Sequence, residues 1–109
     1  MPVRVLIDES IPEQIAPHLV GCDSSTVRRE GLKGLRNGVL LRAAVDRGFQ
    51  VILSADRSLR DQQNLGKIGI GAVVVVGVRN RMKDLEPLVP RILVEIDRVR
   101  AGEMREVTR

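Results

Sequence analysis

The stretch Phe49-Gln50-Val51-Ile52-Leu53-Ser54-Ala55, followed directly by Asp56, decides the fold class of this chain. Its central residues are apolar at consecutive positions, which is typical of a strand buried on both faces in the middle of a parallel sheet. A second run, Ala72 to Val76, contains four consecutive valines and is the clearest strand in the sequence. Together the two runs predict an α/β domain built on a central sheet.

Strand-like and helical segments alternate along the chain. The expected first strand is Val3 to Ile7, and a short second strand spans Cys22 to Val27. Residues 28–36 are basic and glycine-rich without apolar periodicity, so we expect a loop over one edge of the sheet. The alternation predicts a mainly parallel sheet with right-handed crossovers.

Apolar spacing and capping residues predict the remaining elements. In chain order these are a helix over Ile11 to Val20 capped by Ser10, a helix from Gly38 to Gly48 capped by Asn37, a helix over Arg57 to Leu65, an amphipathic helix over Leu85 to Val99 bent at Pro87 or Pro90, and an edge strand over Met104 to Thr108.

The composition is that of one globular domain covering residues 1–109. The chain is 43% hydrophobic and 29% charged, and no segment approaches the ~20 apolar residues of a membrane span. The start of the sequence leads directly into a strand, so we expect a cytoplasmic protein without membrane contact. Cys22 and His18 are the sole cysteine and histidine, and we expect the first to pack and the second to lie at the surface.

Positive charge is concentrated in one part of the sequence. The net charge is +4, and residues 28–60 hold eight basic residues against three acidic ones, so the rest carries −1. Such an excess fits contacts with nucleic-acid phosphates, although a solvated surface has the same appearance. Phe49 is the sole aromatic residue, so bases have no stacking platform. The candidate nucleic-acid-binding residues are Arg28, Arg29, Lys33, Arg36 and Arg57.

Two expected strands end in carboxylates, Asp8-Glu9 after the first and Asp56 after the third. Ligands gather at the carboxyl edge of parallel strands, so these groups are expected to converge. Two carboxylates about 5 Å apart repel by about 3 kcal/mol at an effective dielectric of about 20, which favours a bound cation such as Mg²⁺ or Mn²⁺. The competing interpretation is that Asp8 and Asp56 are helix caps or loop residues.

A phospho-accepting receiver domain also carries an acidic pair after its first strand and an aspartate after its third. It further needs Ser or Thr at the end of the fourth strand and Lys after the fifth. Here Val76 is followed by Gly77-Val78-Arg79, and no late strand ends in Lys-Pro. A receiver-like phospho-switch therefore remains an alternative with two of its residues missing.

Four segments together resemble one family. They are Val5-Leu6-Ile7-Asp8-Glu9-Ser10-Ile11-Pro12, Gly34-Leu35-Arg36-Asn37-Gly38-Val39-Leu40-Leu41, Val51-Ile52-Leu53-Ser54-Ala55-Asp56-Arg57-Ser58-Leu59 and Gln62-Gln63-Asn64-Leu65. In this order they resemble the small bacterial PIN-like proteins related to VapC-type toxins, over nearly the whole chain.

This resemblance implies a three-layer α/β/α PIN-like fold and a Mg²⁺- or Mn²⁺-dependent endoribonuclease that forms the toxin half of a toxin–antitoxin pair. The family's first acidic residue matches Asp8, and the aspartate of its Thr/Ser-x-Asp motif matches Asp56. Many relatives carry Asp where this chain has Asn37. A neutral amide lowers the negative charge of the site.

The leading hypothesis is therefore an RNA-cleaving enzyme with Asp8, Asp56 and Asn37 as catalytic residues and with Asp8, Asp56 and Glu9 as metal ligands. For Glu9 to join Asp8 it must lie beyond the end of the strand, because adjacent strand residues point to opposite faces. Asn37 also motivates an alternative, a catalytically degenerate module that binds RNA or protein. The expected partners are RNA and a small antitoxin protein, and the apolar face of Leu85 to Val99 would suit a homodimer.

Overall fold

A computed structural model describes residues 2–59 and 65–109, with the backbone but not the side chain of Asn37. Its five strands form one sheet in the order β2-β1-β3-β4-β5, and all four pairs are parallel. The strands are β1 Arg4–Ile7, β2 Asp23–Thr26, β3 Val51–Ser54, β4 Gly71–Val76 and β5 Met104–Thr108. The parallel sheet predicted from the sequence, including its last edge strand, is confirmed.

The strand order contains one reversal. From β1 the chain moves outward to β2 and then crosses back to β3 on the other side of β1. This is the order of a common class of doubly wound α/β sheets, in which ligands bind in the crevice at the carboxyl ends of the two strands flanking the reversal. In this chain those strands are β1 and β3.

Short helices connect the strands. They are a 3-10 helix at Glu13–His18, α1 Asn37–Asp46, α2 Leu65–Ile68, α3 Met82–Leu85, a 3-10 turn at Glu86–Leu88 and α4 Val89–Arg98. No helix in the described ranges is long and apolar enough to cross a membrane.

Apolar side chains cover the sheet on both faces. Successive strand residues point to opposite sides, so Val5 and Ile7 join one core while Leu6 joins the other. The first core includes residues of α3, α4 and the Glu13–His18 helix, and the second includes residues of α1 and α2. The domain is thus an α/β fold with helices on both faces of its sheet.

The expected helix over residues 11–20 is shorter than predicted. It is a 3-10 helix at Glu13–His18, and its N-cap is Pro12 rather than Ser10. The hydroxyl of Ser10 instead bonds to Asp8 and accepts from the N–H of Ala55. Capping by Ser10 was therefore wrong, because a tertiary contact occupies its side chain.

The prediction that Asn37 caps α1 was also wrong. Asn37 is the first helical residue, and the N-cap is Arg36, which has extended backbone angles of φ −132° and ψ 154°. The carbonyl of Arg36 accepts from the N–H groups of Val39 and Leu40. The cap therefore lies one residue earlier than expected.

The last helical region is interrupted where prolines were expected to bend it. α3 and α4 are separated by the 3-10 turn that contains Pro87, whose ring nitrogen has no N–H for a helical hydrogen bond. Leu85, Ile92 and Ile96 keep the predicted apolar face buried. Of the helix expected over residues 57–65, residues 60–64 lie outside the described ranges, and Arg57 and Ser58 form a turn.

Candidate functional site

Asp8, which directly follows β1, lies beside the end of β3. The backbone N–H of Asp8 donates to the carbonyl of Leu53 over 2.9 Å, which extends the pairing of β1 with β3 by one residue. Ile7 is opposite Leu53, so Asp8 is opposite Ser54. The alternation of side chains then places Asp8 and Ser54 on the α1 side of the sheet.

Ser54 connects the two aspartates. Its side chain is only 1% exposed, and its hydroxyl donates to Oδ2 of Asp8 over 3.0 Å. The hydroxyl oxygen of Ser54 also accepts the backbone N–H of Asp56 over 3.0 Å. One buried hydroxyl thus orients the first carboxylate and fixes the backbone that carries the second.

Ser10 makes a parallel set of contacts. Its hydroxyl donates to Oδ2 of Asp8 over 2.7 Å and accepts the N–H of Ala55 over 3.0 Å. Oδ2 of Asp8 therefore accepts from two hydroxyls, while Oδ1 receives no hydrogen bond from any residue that the structure describes. The carboxylate is held through one oxygen, and its second oxygen remains for a ligand.

Asp56 is exposed and is held by its own turn. Its Oδ1 accepts the backbone N–H of Ser58 over 2.9 Å and the hydroxyl of Ser58 over 2.6 Å. This is the geometry of an Asx turn, in which a side-chain oxygen substitutes for a backbone carbonyl. Asp56 thus has the local turn role that the competing interpretation gave it. It also lies at the rim of a cleft.

A cleft of about 560 Å³ opens beyond the carboxyl ends of β1 and β3. Asp8, Glu9 and Asp56 line it together, and Lys33 and Arg36 from the basic loop form part of the same wall. Its other lining residues are Gly34, Leu35, Leu40, Leu41, Ile52, Ser54, Ser58 and Leu59. Acidic side chains and two cations of the loop predicted to lie over this edge therefore share one cleft.

A second cleft of about 440 Å³ lies on the β2 side of the first. It shares Asp8, Glu9 and Lys33 with the first cleft and adds Arg28 and Glu13. Glu9 is exposed and lies beyond the end of β1, which is the position that it needs to join Asp8. Asp8 and Glu9 therefore form the wall between two adjoining clefts.

Two of the candidate nucleic-acid-binding residues, Arg29 and Arg57, are not among the lining residues of either cleft. Arg29 is exposed and belongs to the lining of neither cleft, and its backbone N–H donates to the hydroxyl of Thr26. Arg57 forms an ion pair with Glu106 of β5 at 3.9 Å. Asn37 occupies the first position of α1, next to Arg36 in the cleft wall, and its side chain lies outside what the structure describes.

The donors at the site are all oxygens, which is the chemistry that Mg²⁺ and Mn²⁺ prefer. Within residues 2–59 and 65–109 there is no group of three or more His, Cys, Asp or Glu side chains arranged to hold a metal ion. Asp8 and Asp56 thus supply oxygen atoms of the kind that bind Mg²⁺, and among the described residues they do not belong to a group of three such side chains.

Cys22 and His18 lie away from this cleft. Cys22 packs against the core on the α4 side, and burial, followed by the nearby Asp97, raises the pKa of its thiol. A raised pKa leaves little thiolate at neutral pH. His18 is exposed. The expectation that Cys22 packs and His18 lies at the surface is confirmed.

The sequence interpretation gave Ser54 and Ser58 no role at the site and assigned Ser10 only a helix cap. Ser10, Ser54 and Ser58 hold the two aspartates through five of the hydrogen bonds described above. The alternation of side chains along a strand gave a signal for Ser54. It lies two residues after Ile52 and two before Asp56, and residues two apart in a strand point to the same face of the sheet. Ser10 gave no such signal because its contact crosses from one loop to another.

A scan against protein-family models, a search of curated protein sequences and a search of solved structures each found no match to this chain.

Proposed function

We propose that this protein is a PIN-like, metal-dependent endoribonuclease that acts in the cytoplasm as the toxin of a toxin–antitoxin pair. The observation that carries the nuclease proposal is the cleft at the β1/β3 reversal, which Asp8 and Asp56 line together with Lys33 and Arg36. Carboxylates and cations in one cleft suit a phosphodiester, because the cations bind phosphate while the carboxylates bind a divalent ion. The antitoxin belongs to this proposal through the family resemblance. The homodimer was expected from the apolar face of Leu85 to Val99, and the structure packs Leu85, Ile92 and Ile96 of that face into the core of the domain.

In this proposal Asp8 and Asp56 would hold Mg²⁺ or Mn²⁺, with Glu9 from the cleft lining as a further ligand and with Asn37 as the further site residue that the resemblance implies. When bound, the ion lowers the pKa of a coordinated water and stabilises charge on the leaving oxygen. Ser10 and Ser54 orient Asp8 by donating to its Oδ2. Lys33 and Arg36 hold the flanking phosphates, whose binding needs no base recognition and weakens with salt.

The test is cleavage of single-stranded RNA by the purified protein with Mg²⁺, with Mn²⁺ and with EDTA. Asp56→Asn is the sharpest variant, because an amide oxygen can still accept from Ser58 while the negative charge is removed. Cleavage should fall by about 100-fold or more, and the Mn²⁺-dependent rise in melting temperature should disappear. Asp97→Asn, on α4 across the sheet, should retain both properties. Equal cleavage with and without EDTA would overturn the proposal.

A catalytically degenerate RNA- or protein-binding module is the second candidate. It is favoured by the lack of a three-carboxylate group among the described residues and by an amide at Asn37. This candidate predicts salt-sensitive RNA binding that EDTA does not change, together with no cleavage under any metal. Binding that is lost on chelation would count against it.

The receiver-like alternative gains one observation and still misses two residues. The strand order β2-β1-β3-β4-β5 is also that of receiver domains. However, β4 is followed by Gly77 and Val78, and β5 is followed by Arg109, where the phospho-switch needs a hydroxyl and a lysine. Incubation with acetyl phosphate should leave the mass of the protein unchanged, and a phosphoryl adduct on Asp56 would revive this alternative.

A further inference from the structure

We propose that the second cleft binds the sugar–phosphate backbone of the same RNA strand on one side of the scissile phosphate, with Arg28 as its phosphate ligand. This inference rests on the proposed nuclease function and extends it from the reacting phosphate to the path of the strand. It begins from the shared wall: Asp8, Glu9 and Lys33 line both clefts.

Basic side chains are distributed over both clefts. Arg36 lines the first cleft, Lys33 lines both, and Arg28 lines the second. Basic side chains therefore line both clefts, and Lys33 is common to the two. A strand with a phosphate at Asp8 and Asp56 that continues into the second cleft meets Lys33 and Arg28 there.

Arg28 is available for an incoming phosphate. Its side chain is 78% exposed, and its partner in the structure is Glu13, itself 50% exposed, at 4.0 Å. A long, solvent-exposed ion pair of this kind contributes little stability. Exchange of Glu13 for a phosphate would give the guanidinium a charge-assisted, bidentate contact.

The rest of the cleft indicates which part of the nucleotide it contacts. Ile11, Pro12 and Val27 supply apolar wall, and no aromatic side chain lines it. Without an aromatic ring the bases cannot stack on the protein, so the cleft holds the strand by its backbone and does not select sequence. Its volume of about 440 Å³ is within the range of small-ligand sites.

Glu13 and Arg28 should affect binding in opposite directions. Arg28→Gln removes the phosphate ligand, whereas Glu13→Gln removes an anion that both occupies Arg28 and repels the strand. The probe is a fluorescent single-stranded oligouridylate, with Ca²⁺ replacing Mg²⁺ to limit cleavage and affinity measured by anisotropy. Arg98→Gln is the control, since Arg98 is exposed on α4 and lines neither cleft.

We expect Arg28→Gln to weaken binding about fivefold and to reduce the slope of log affinity against log salt by about 0.7. Glu13→Gln should strengthen binding, and Arg98→Gln should leave it unchanged. Thermal unfolding of each variant confirms that it is folded. The proposal is overturned if Arg28→Gln binds like Arg98→Gln, or if Glu13→Gln binds more weakly than the wild type.

These outcomes separate the two proposals. RNA cleavage that depends on Asp56, together with no effect of Arg28→Gln, would reject the second cleft and keep the nuclease. Opposite effects of the two glutamine variants on binding, without cleavage in Mg²⁺ or Mn²⁺, would keep the strand path and reject the nuclease.

Discussion

Ser54 donates a hydrogen bond of 3.0 Å to Oδ2 of Asp8 from a side chain that is 1% exposed. The pairing of β1 with β3 dictates this contact, since the two residues occupy opposing positions one step beyond Ile7 and Leu53. The arrangement of the carboxylates therefore depends on the sheet itself and not only on the loops that follow it.

Replacement of Ser54 by Ala should affect both stability and metal binding. It removes a donor to Asp8 and leaves the N–H of Asp56 without its acceptor, which should lower the free energy of unfolding by about 1–3 kcal/mol. If Asp8 binds a divalent ion, loss of its orienting hydroxyl should weaken that binding about 10- to 100-fold. Urea unfolding and a Mn²⁺ titration measure the two effects.

Ser24→Ala is the matched control for this prediction. Ser24 lies on β2, and its hydroxyl makes no hydrogen bond to any residue in the described part of the chain. This variant should change stability by less than about 0.5 kcal/mol and should leave metal binding unaltered. A comparable loss in both variants would show that the contacts of Ser54 are not responsible.

A pair of variants on α1 tests how much the buried lining of the first cleft contributes to stability. Leu41 is 0% exposed and lines the cleft, whereas Val39 is 59% exposed on the same helix. Leu41→Ala should cost about 2–5 kcal/mol of unfolding free energy because it leaves a cavity in the core. Val39→Ala should stay within about 0.5 kcal/mol, and urea unfolding distinguishes the two.

The sequence allowed the sheet, and the meeting of its strand-terminal carboxylates at one edge, to be predicted because both follow from local patterns. The apolar runs at Val51–Leu53 and Val73–Val76 lie in buried strands, and the aspartates after β1 and β3 line one cleft. Parallel strands bring their carboxyl ends to one edge whatever the connections are. The prediction of this edge therefore needed only the identity of the strands.

Contacts between loops could not be predicted in the same way. The hydroxyl of Ser10 was a reasonable N-cap by local propensity, but its contacts with Asp8 and Ala55 form only in the folded chain. The start of α1 was misplaced by one residue because Asn37 is a better cap than Arg36 in isolation. For Ser10, a tertiary contact outweighed the local preference.

Stability at acidic pH should depend on Glu30. The hydroxyl of Ser25 donates to its Oε2 over 2.7 Å, and this bond, followed by the nearby Arg47, lowers the pKa of the carboxyl. A lowered folded-state pKa stabilises the protein above the unfolded value of about 4.3, and this contribution is lost as the pH falls through the folded value.

Glu30→Gln should therefore melt at a lower temperature than the wild type near neutral pH, and the difference should shrink as the pH falls below about 5. The glutamine oxygen still accepts from Ser25, so the variant isolates the charge. Thermal unfolding across a pH series checks this prediction, and a difference that grows toward acidic pH would contradict it.

The basic wall of the first cleft should determine the salt dependence of RNA binding. Lys33 and Arg36 line this cleft and form no ion pair with a residue in the described ranges, so both are available to phosphates. Each phosphate contact contributes about 0.7 to the slope of log affinity against log salt for a single strand. Replacing both Lys33 and Arg36 with Gln should therefore lower the slope by about 1.4.

The control is a double variant on the opposite face, in which Lys83 and Arg98 are both changed to Gln, and it should leave the slope unchanged. Filter binding of single-stranded RNA across a salt series measures the slopes, and equal slopes for the two double variants would show that the first cleft does not bind the RNA backbone.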